Sequence, residues 1–433
     1  MFNYCLKNGG IMKLLIGPHQ AFIMTEPDEC LIVANACMNK PYLYEFGKDC
    51  YGRGLVTAKE STWKPHRKLL NPAFNLQVLN KFIAEFNVQA RELVSLLEPK
   101  VGKESFDVQP YLVSNSLKNV CRTTLGFREQ DQIMVDKDYA QATENLFHLF
   151  GERIPKFWLH VPFLYNLSSL KRKENKLTGV TKRVINGIIK KRRSEMKLNS
   201  NYEMNSDSKS DKFKPLLDQM LELAENQDAF SDEEIREHLD TIVAAAFDTT
   251  ATSMTYTLLV IGSDSVMQER IYKELKSELG DRDVTKHDLP KLVYLDAVLK
   301  ESLRLYAPVP LAARNVDSDI QIRNYTLPAG STCVFSLYGI NRHSMWGADV
   351  EEFRPERWLN PETLPKNPNA FATFGIGKRV CLGRSYSMMA MKTTLAHILR
   401  RYRVFGDINK VLSRSDILMK PVTGHHIRLE LRM

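Results

Sequence analysis

The feature that most constrains the fold is a helical pattern running from residue 231 to about 261. Ser231 is placed to accept from the third amide of the first turn while Glu234 reaches back to it, a capping box. Asp232 and Glu233 put negative charge where the helix dipole favours it. At about 1.5 Å per residue the segment spans roughly 45 Å, enough to cross a whole molecule and to scaffold a central site. Its apolar part, 241–262, carries Asp248 and six threonines, so it reads as a helix buried in a soluble protein rather than a membrane span.

Helical periodicity also marks 27–38, 63–72, 76–97, 108–125, 139–154, 171–197, 214–225, 265–279, 292–305 and 385–399. Strand signals appear at 12–16 and 21–25, joined by a turn at Gly17-Pro18, then at 320–335 and 427–432. The pattern predicts a mainly α protein with small β-sheets. No shift in composition divides the 433 residues, so 1–433 is expected to form one domain. The Asn/Ser/Asp/Lys-rich stretch 199–214 offers little to bury and is expected to be a flexible surface loop. A formal charge of +9 suits nucleic acid, an anionic membrane or an acidic partner equally and decides nothing alone. Seven cysteines without a CxxC pair argue against a disulfide framework or zinc knuckle, and predict a reducing compartment.

The sharpest chemical signal is FGIGKRVCLG at 374–383. Glycines at 375, 377 and 383 surround Cys381, with Arg379 two residues before it and an apolar helix after it. Glycine lets backbone approach a flat ligand closely, and a thiolate before a helix is stabilised by that N-terminus and left able to ligate a metal. A lone cysteine in a glycine turn is more often a buried core residue, but further motifs stand upstream. Glu301 and Arg304 lie three apart in LKESLRLYAPVP, with FRPERW at 353–358; alone, such a pair is usually a solvated ion pair. Trp63 and Arg67 share a helix face in WKPHRKLL, where the bland reading is a solvated basic turn. Arg314 follows the Pro308-Val309-Pro310 turn, and Asp248 and Thr249 sit mid-helix in AAAFDTTA, where an ionisable group among alanines asks for a reason.

The loop fits F-x-x-G-x-R-x-C-x-G, and with the other motifs the chain resembles the cytochrome P450 superfamily over nearly its whole length from about residue 10. HLDTIVAAAFDTT at 238–250 resembles the signature of family-4 members, and WKPHRKLLNPAFN at 63–75 resembles the insect ones. The resemblance implies the cytochrome P450 fold, a large helical domain around haem b with a minor β region. It makes Cys381 the proximal ligand of the haem iron, puts Phe374 beneath it, and turns Trp63, Arg67, Arg314 and Arg379 towards the propionates. Glu301, Arg304 and Arg357 become a structural triad. Asp248 and Thr249 become the acid–alcohol pair that directs protons to the oxygen being activated, with the Thr249 hydroxyl within reach of the Ala245 carbonyl. Thiolate ligation pushes electron density onto iron and favours O–O cleavage. Two positions depart from the family pattern: Ala245 stands where many family-4 enzymes carry a haem-esterifying glutamate, and Ala246 where the oxygen groove usually has glycine.

The function so implied is a monooxygenase inserting one oxygen atom of O2 into a hydrophobic organic substrate, whether fatty-acid-like, hormone or pheromone, or xenobiotic. Its electrons would come from NADPH through NADPH–cytochrome P450 reductase, with cytochrome b5 as a second donor, at the cytosolic face of the endoplasmic reticulum membrane; no nucleic acid is expected. Lys68, Lys378 and Arg384 would suit an acidic partner on the proximal face. Family members carry a membrane anchor, a proline-rich hinge and a first helix ahead of the strand expected at Met12, so the alternative is a haem-binding but inactive remnant. An oxygen-independent haem-thiolate isomerase or dehydratase is the third reading. Asp248, Thr249 and Cys381 weigh against the remnant, and the Asp248–Thr249 pair weighs against the isomerase or dehydratase. The aromatic segment FWLHVPFLYNL at 157–167, followed by Lys171, Arg172 and Lys173, fits a membrane interface or the roof of a substrate pocket.

Overall fold

A computed structural model describes residues 10–16, 19–127, 137–200, 214–323 and 325–432. The turn expected at Gly17-Pro18 and most of the 199–214 loop lie outside these residues. Along the chain run β1 (Ile11–Ile16), β2 (His19–Met24), α1 (Pro27–Ala36), α2 (Lys48–Tyr51), α3 (Glu60–Leu70), α4 (Leu76–Leu97), β3 (Phe106–Asp107), α5 (Gln109–Val120), α6 (Lys137–Arg153), α7 (Pro162–Leu167), α8 (Ser169–Ser200) and α9 (Leu216–Gln227). Then follow α10 (Asp232–Ser263), α11 (Ser265–Leu279), α12 (Val293–Leu305), β4 (Leu311–Asn315), β5 (Ile320–Ile322), β6 (Tyr325–Leu327), β7 (Thr332–Ser336), α13 (Leu337–Ile340), α14 (Arg384–Arg401), β8 (Tyr402–Phe405), β9 (Leu412–Ser415), β10 (Met419–Thr423) and β11 (His426–Leu431). The mainly α class with small sheets is what the periodicity predicts.

Two compact units emerge. The first comprises residues 1–43, 90–112 and 249–433, the second 44–89 and 113–248, so α4, α5 and α10 each contribute to both. In the first unit a four-stranded sheet has the order β1-β2-β7-β4. β2 pairs parallel with β7 and β4 antiparallel with it, which sets Phe22 and Arg314 on either side of Cys333. Phe22, Met24, Val33, Phe335, Ile340 and Ile376 fill its core, each large side chain contributing roughly 1.5–3 kcal/mol by leaving water. The apolar run expected as strand at 320–335 is divided, because Gly330 turns the chain at φ +81° between β6 and β7. The second unit is helical. Leu149, Leu159, Tyr165 and Leu170 pack together there, and the Arg153 guanidinium lies 3.8 Å from the Phe46 ring centre and 3.4 Å from that of Tyr165. The helix expected over 108–125 is α-helical to Val120 and continues as a wider π-helical turn over Cys121–Leu125, ending at Gly126, whose φ of +73° only glycine adopts freely.

The capping box of α10 forms as its sequence dictates. Ser231 N–H donates to Glu234 Oε2 at 2.9 Å and Glu234 N–H to Ser231 Oγ at 3.3 Å. The 32-residue helix that follows is roughly 48 Å long. Among the described residues, no helix is long and apolar enough to cross a membrane.

Candidate active site

The cysteine loop is built by its glycines. Gly375 and Gly377 have φ of +84° and +70°, and a Cβ on Gly377 would stand 2.8 Å from the Ala34 Cβ of α1. Only hydrogen fits there. The Lys378 amide donates to Asn35 Oδ1 at 3.2 Å, tying the same turn to α1. The Cys381 amide donates to the Phe374 carbonyl at 2.8 Å and closes the loop immediately ahead of α14. Asn341 secures the loop's entry, accepting from the Ala372 amide and donating to Thr373, whose hydroxyl donates to the Leu303 carbonyl of α12. Cys381 is exposed, whereas Cys30, Cys37, Cys50, Cys121 and Cys333 are all buried. The Phe374 ring lies 5.5 Å from the Arg384 guanidinium.

The expected triad is present and closed. Arg304 donates through Nε and Nη2 to the two Glu301 oxygens at 2.9 and 2.8 Å, and Arg357 Nε donates to the same carboxylate at 2.9 Å. Trp358 Nε1 and the Arg354 amide supply two more donors at 2.9 and 3.0 Å. Arg304 also reaches the carbonyls of Asn341, Val350 and Glu352. Burial by itself would raise the Glu301 pKa, but the Arg304 hydrogen bonds and charge, with Arg357 behind them, hold it below its usual value. Five donors meet the Glu301 carboxylate, the hydrogen bonding under which buried ions are tolerated.

Three cations gather in the first unit. Arg314 is buried on β4 with its guanidinium 5.6 Å from the Phe335 ring, and Arg379 is on the cysteine loop. Lys40, which sequence reasoning missed, completes the set: burial first, then the fields of Arg314 and Arg379, push its ammonium well below the usual lysine pKa. No motif advertised Lys40, which is brought to the two arginines by the fold. A cluster of two guanidiniums and one ammonium has the chemistry to receive carboxylates, and haem b presents two. With an exposed thiol on the adjacent loop, the donor set fits that group.

On α10, Ala245 is exposed and Ile242, Ala246 and Thr249 are half-buried, three to four residues apart on one face, while Asp248 beside them is buried. A carboxyl held inside and a hydroxyl at the open face is the arrangement a proton relay needs. In the second unit, Trp63 is buried and Arg67 Nε donates to Asn71 Oδ1 at 2.7 Å. Between them His66 is also buried rather than solvated. Its Nδ1 lies 2.8 Å from His238 Nε2 and its Nε2 3.7 Å from Glu234 Oε1, so one ring nitrogen of the pair donates to the other. This pair was not foreseen either, because one partner stands 172 positions from the other.

The cytochrome P450 family model matches residues 1–428. Cytochrome P450 4V2 of Mus musculus is 31% identical over 98% of this chain and 82% of its own length. Cytochrome P450 4c3 of Drosophila melanogaster is 28% identical over the same shares. A crystal structure of a cytochrome P450 (CYP102L1) superposes with a TM-score of 0.84 over 100% of this chain and 93% of its own, at 19% identity, a likeness of fold. The chain belongs to the cytochrome P450 family, with family-4 members among its relatives, and is a haem-dependent monooxygenase.

Proposed function

We propose that this monooxygenase inserts one oxygen atom into a hydrophobic substrate of the fatty-acid, hormone or pheromone, or xenobiotic kind. Its electrons come from NADPH through NADPH–cytochrome P450 reductase, with cytochrome b5 as an additional donor, at the cytosolic face of the endoplasmic reticulum. The observation that carries an active rather than a remnant enzyme is the division of labour on α10, with Asp248 buried and Thr249 at the open face. A protein that only stored haem would have no use for it.

In this reading Cys381 would ligate the haem iron. Arg314, Arg379 and Lys40 would hold propionates, as would Trp63 and Arg67, and Phe374 would pack by the thiolate. The haem supplies the redox chemistry that activates O2. The chain's own residues position it, keep Cys381 on a fixed loop, and move protons: Asp248 holds a proton away from bulk water and Thr249 hands it on. Thr249→Ala then uncouples NADPH use from product and raises peroxide. Measuring NADPH, product and peroxide together tests this, and unchanged coupling in both Thr249→Ala and Asp248→Asn removes the relay. Ala245 offers no carboxylate for an ester, so acid-organic extraction should free the haem completely; haem left on denatured protein contradicts a purely thiolate-held group.

The segment 157–167 supports contact with a membrane. Phe157, Trp158, Val161, Phe163, Leu164 and Leu167 are all exposed, Phe163 at 70%, and aromatic side chains of this kind settle at headgroup depth.

A further inference from the structure

The chain's formal charge is +9, and one helix accounts for all of it. α8 has eleven lysines and arginines against two acids, Glu174 and Glu195, so the remainder of the chain is balanced. Three of its half-buried cations have ion-pair partners within the second unit: Arg192 binds Asp218 and Glu195 at 2.6 and 2.8 Å, Arg193 pairs with Asp232, and Lys171 pairs with Asp49 and Glu174. Arg172, Lys173, Lys176, Arg183, Lys190 and Lys197 are exposed.

Four of the exposed six recur every seventh residue, at 176, 183, 190 and 197. Seven residues are two helical turns, with a drift of only about 20° per repeat, so these four make a single stripe about 32 Å long. The exposed residues between them, Gly179, Asn186 and Ser194, are uncharged. Like charges along one face do nothing to stabilise a helix, so the stripe needs an external reason.

We propose that this stripe binds an anionic lipid surface and makes membrane attachment depend on acidic headgroups. This rests on the membrane contact proposed for 157–167. Lipid is favoured over an acidic protein because six exposed apolar residues between Phe157 and Leu167, in the same unit, precede the stripe, whose first cation stands nine positions after Leu167. An apolar wedge followed by an even row of cations matches a bilayer, which offers a hydrocarbon boundary and a laterally uniform negative charge. The aromatic segment then provides attachment to any bilayer and α8 sets the preference among bilayers.

The test is flotation of the haem-loaded chain with phosphatidylcholine vesicles and with the same vesicles containing phosphatidylserine. Each cation near an anionic surface is worth about a fivefold change in partition. The triple variant Lys176→Glu/Arg183→Glu/Lys190→Glu should lose about a hundredfold or more on acidic vesicles, and nothing on neutral ones; added salt should produce the same loss in the wild type. Unaltered Soret absorbance and circular dichroism certify its fold. Trp158→Ser/Phe163→Ser should weaken binding to both vesicle types. Equal partition of the wild type into both lipids, or wild-type partition of the triple variant, overturns the stripe while leaving aromatic attachment standing. Wild-type binding by the aromatic variant overturns the aromatic contact instead, and no flotation on either lipid overturns both. Loss of binding to immobilised polyglutamate, with vesicle binding intact in the triple variant, assigns the stripe to an acidic protein and contradicts the proposal.

Discussion

Arginine is used in opposite ways in the two units. Around Glu301 in the first unit, Arg304 and Arg357 are buried with every strong bond turned inward. Along α8 in the second unit, Arg172 and Arg183 stand in solvent among four exposed lysines. The side chain is the same; burial decides its work. A buried guanidinium fixes geometry because moving it exposes an unpaired charge to a medium that cannot solvate it. An exposed one costs the fold little to move or lose, and is available for something outside the molecule. The comparison separates the parts of this enzyme that hold the cysteine loop from the parts that meet the surroundings.

The largest effect should come from opening the buried set. Glu301→Gln leaves Arg304 without its counter-charge and Arg357 with only that of Asp349 at 3.3 Å, at a cost of about 3–5 kcal/mol. Chemical denaturation followed by far-ultraviolet circular dichroism would show it as a collapsed midpoint or as failure to retain haem. A variant within 1 kcal/mol of the wild type, on the order of a surface substitution, would mean that the triad is not the closed structure described.

An intermediate effect belongs to His66 and His238. Burial first, then their mutual repulsion, hold His238 at a pKa of about 3, and burial lowers that of His66 as well. Both are therefore neutral in the folded protein near neutral pH. Unfolded histidines titrate near ~6.5, so below that value the unfolded chain takes up protons that the native pair refuses. The His238 contribution is complete above ~6.5 and is lost as pH falls towards 3, by up to about 1.4 kcal/mol per pH unit, and His66 acts in the same direction. Urea midpoints between about pH 7 and 5 should fall more steeply in the wild type than in His238→Gln. Parallel slopes would show that the pair does not titrate as a buried unit. The smallest effect is expected at the other pole: Lys176→Glu and Arg183→Glu should leave the denaturation midpoint where it was, and a large shift would mean that the stripe serves the fold.

How far each region could be read in advance follows the same division. α4 and α11 begin and end where periodicity places them, at 76–97 and 265–279; Arg357, 56 positions from Glu301, entered only through the family resemblance, while the Glu301–Arg304 pair and the cysteine loop were legible as local spacings. Gly377 explains why spacing suffices there: its left-handed φ and its contact with Ala34 require glycine at that position. Lys40 and the His66–His238 pair were not legible, since nothing local marks a residue whose partners arrive from distant segments. The short strands β8 to β10 escaped for a related reason. β9 is exposed along its whole length, so it has no alternation of apolar residues to betray it.

The central claim is that Cys381, the exposed cysteine closing the Phe374 loop, ligates the haem iron as thiolate. The ferrous carbonyl complex tests it most directly. The wild type should show the strongly red-shifted Soret band of thiolate ligation, and Cys381→Ala, purified with haem, should lose that band. A Cys381→Ala protein that keeps it would place the ligand elsewhere and contradict the account.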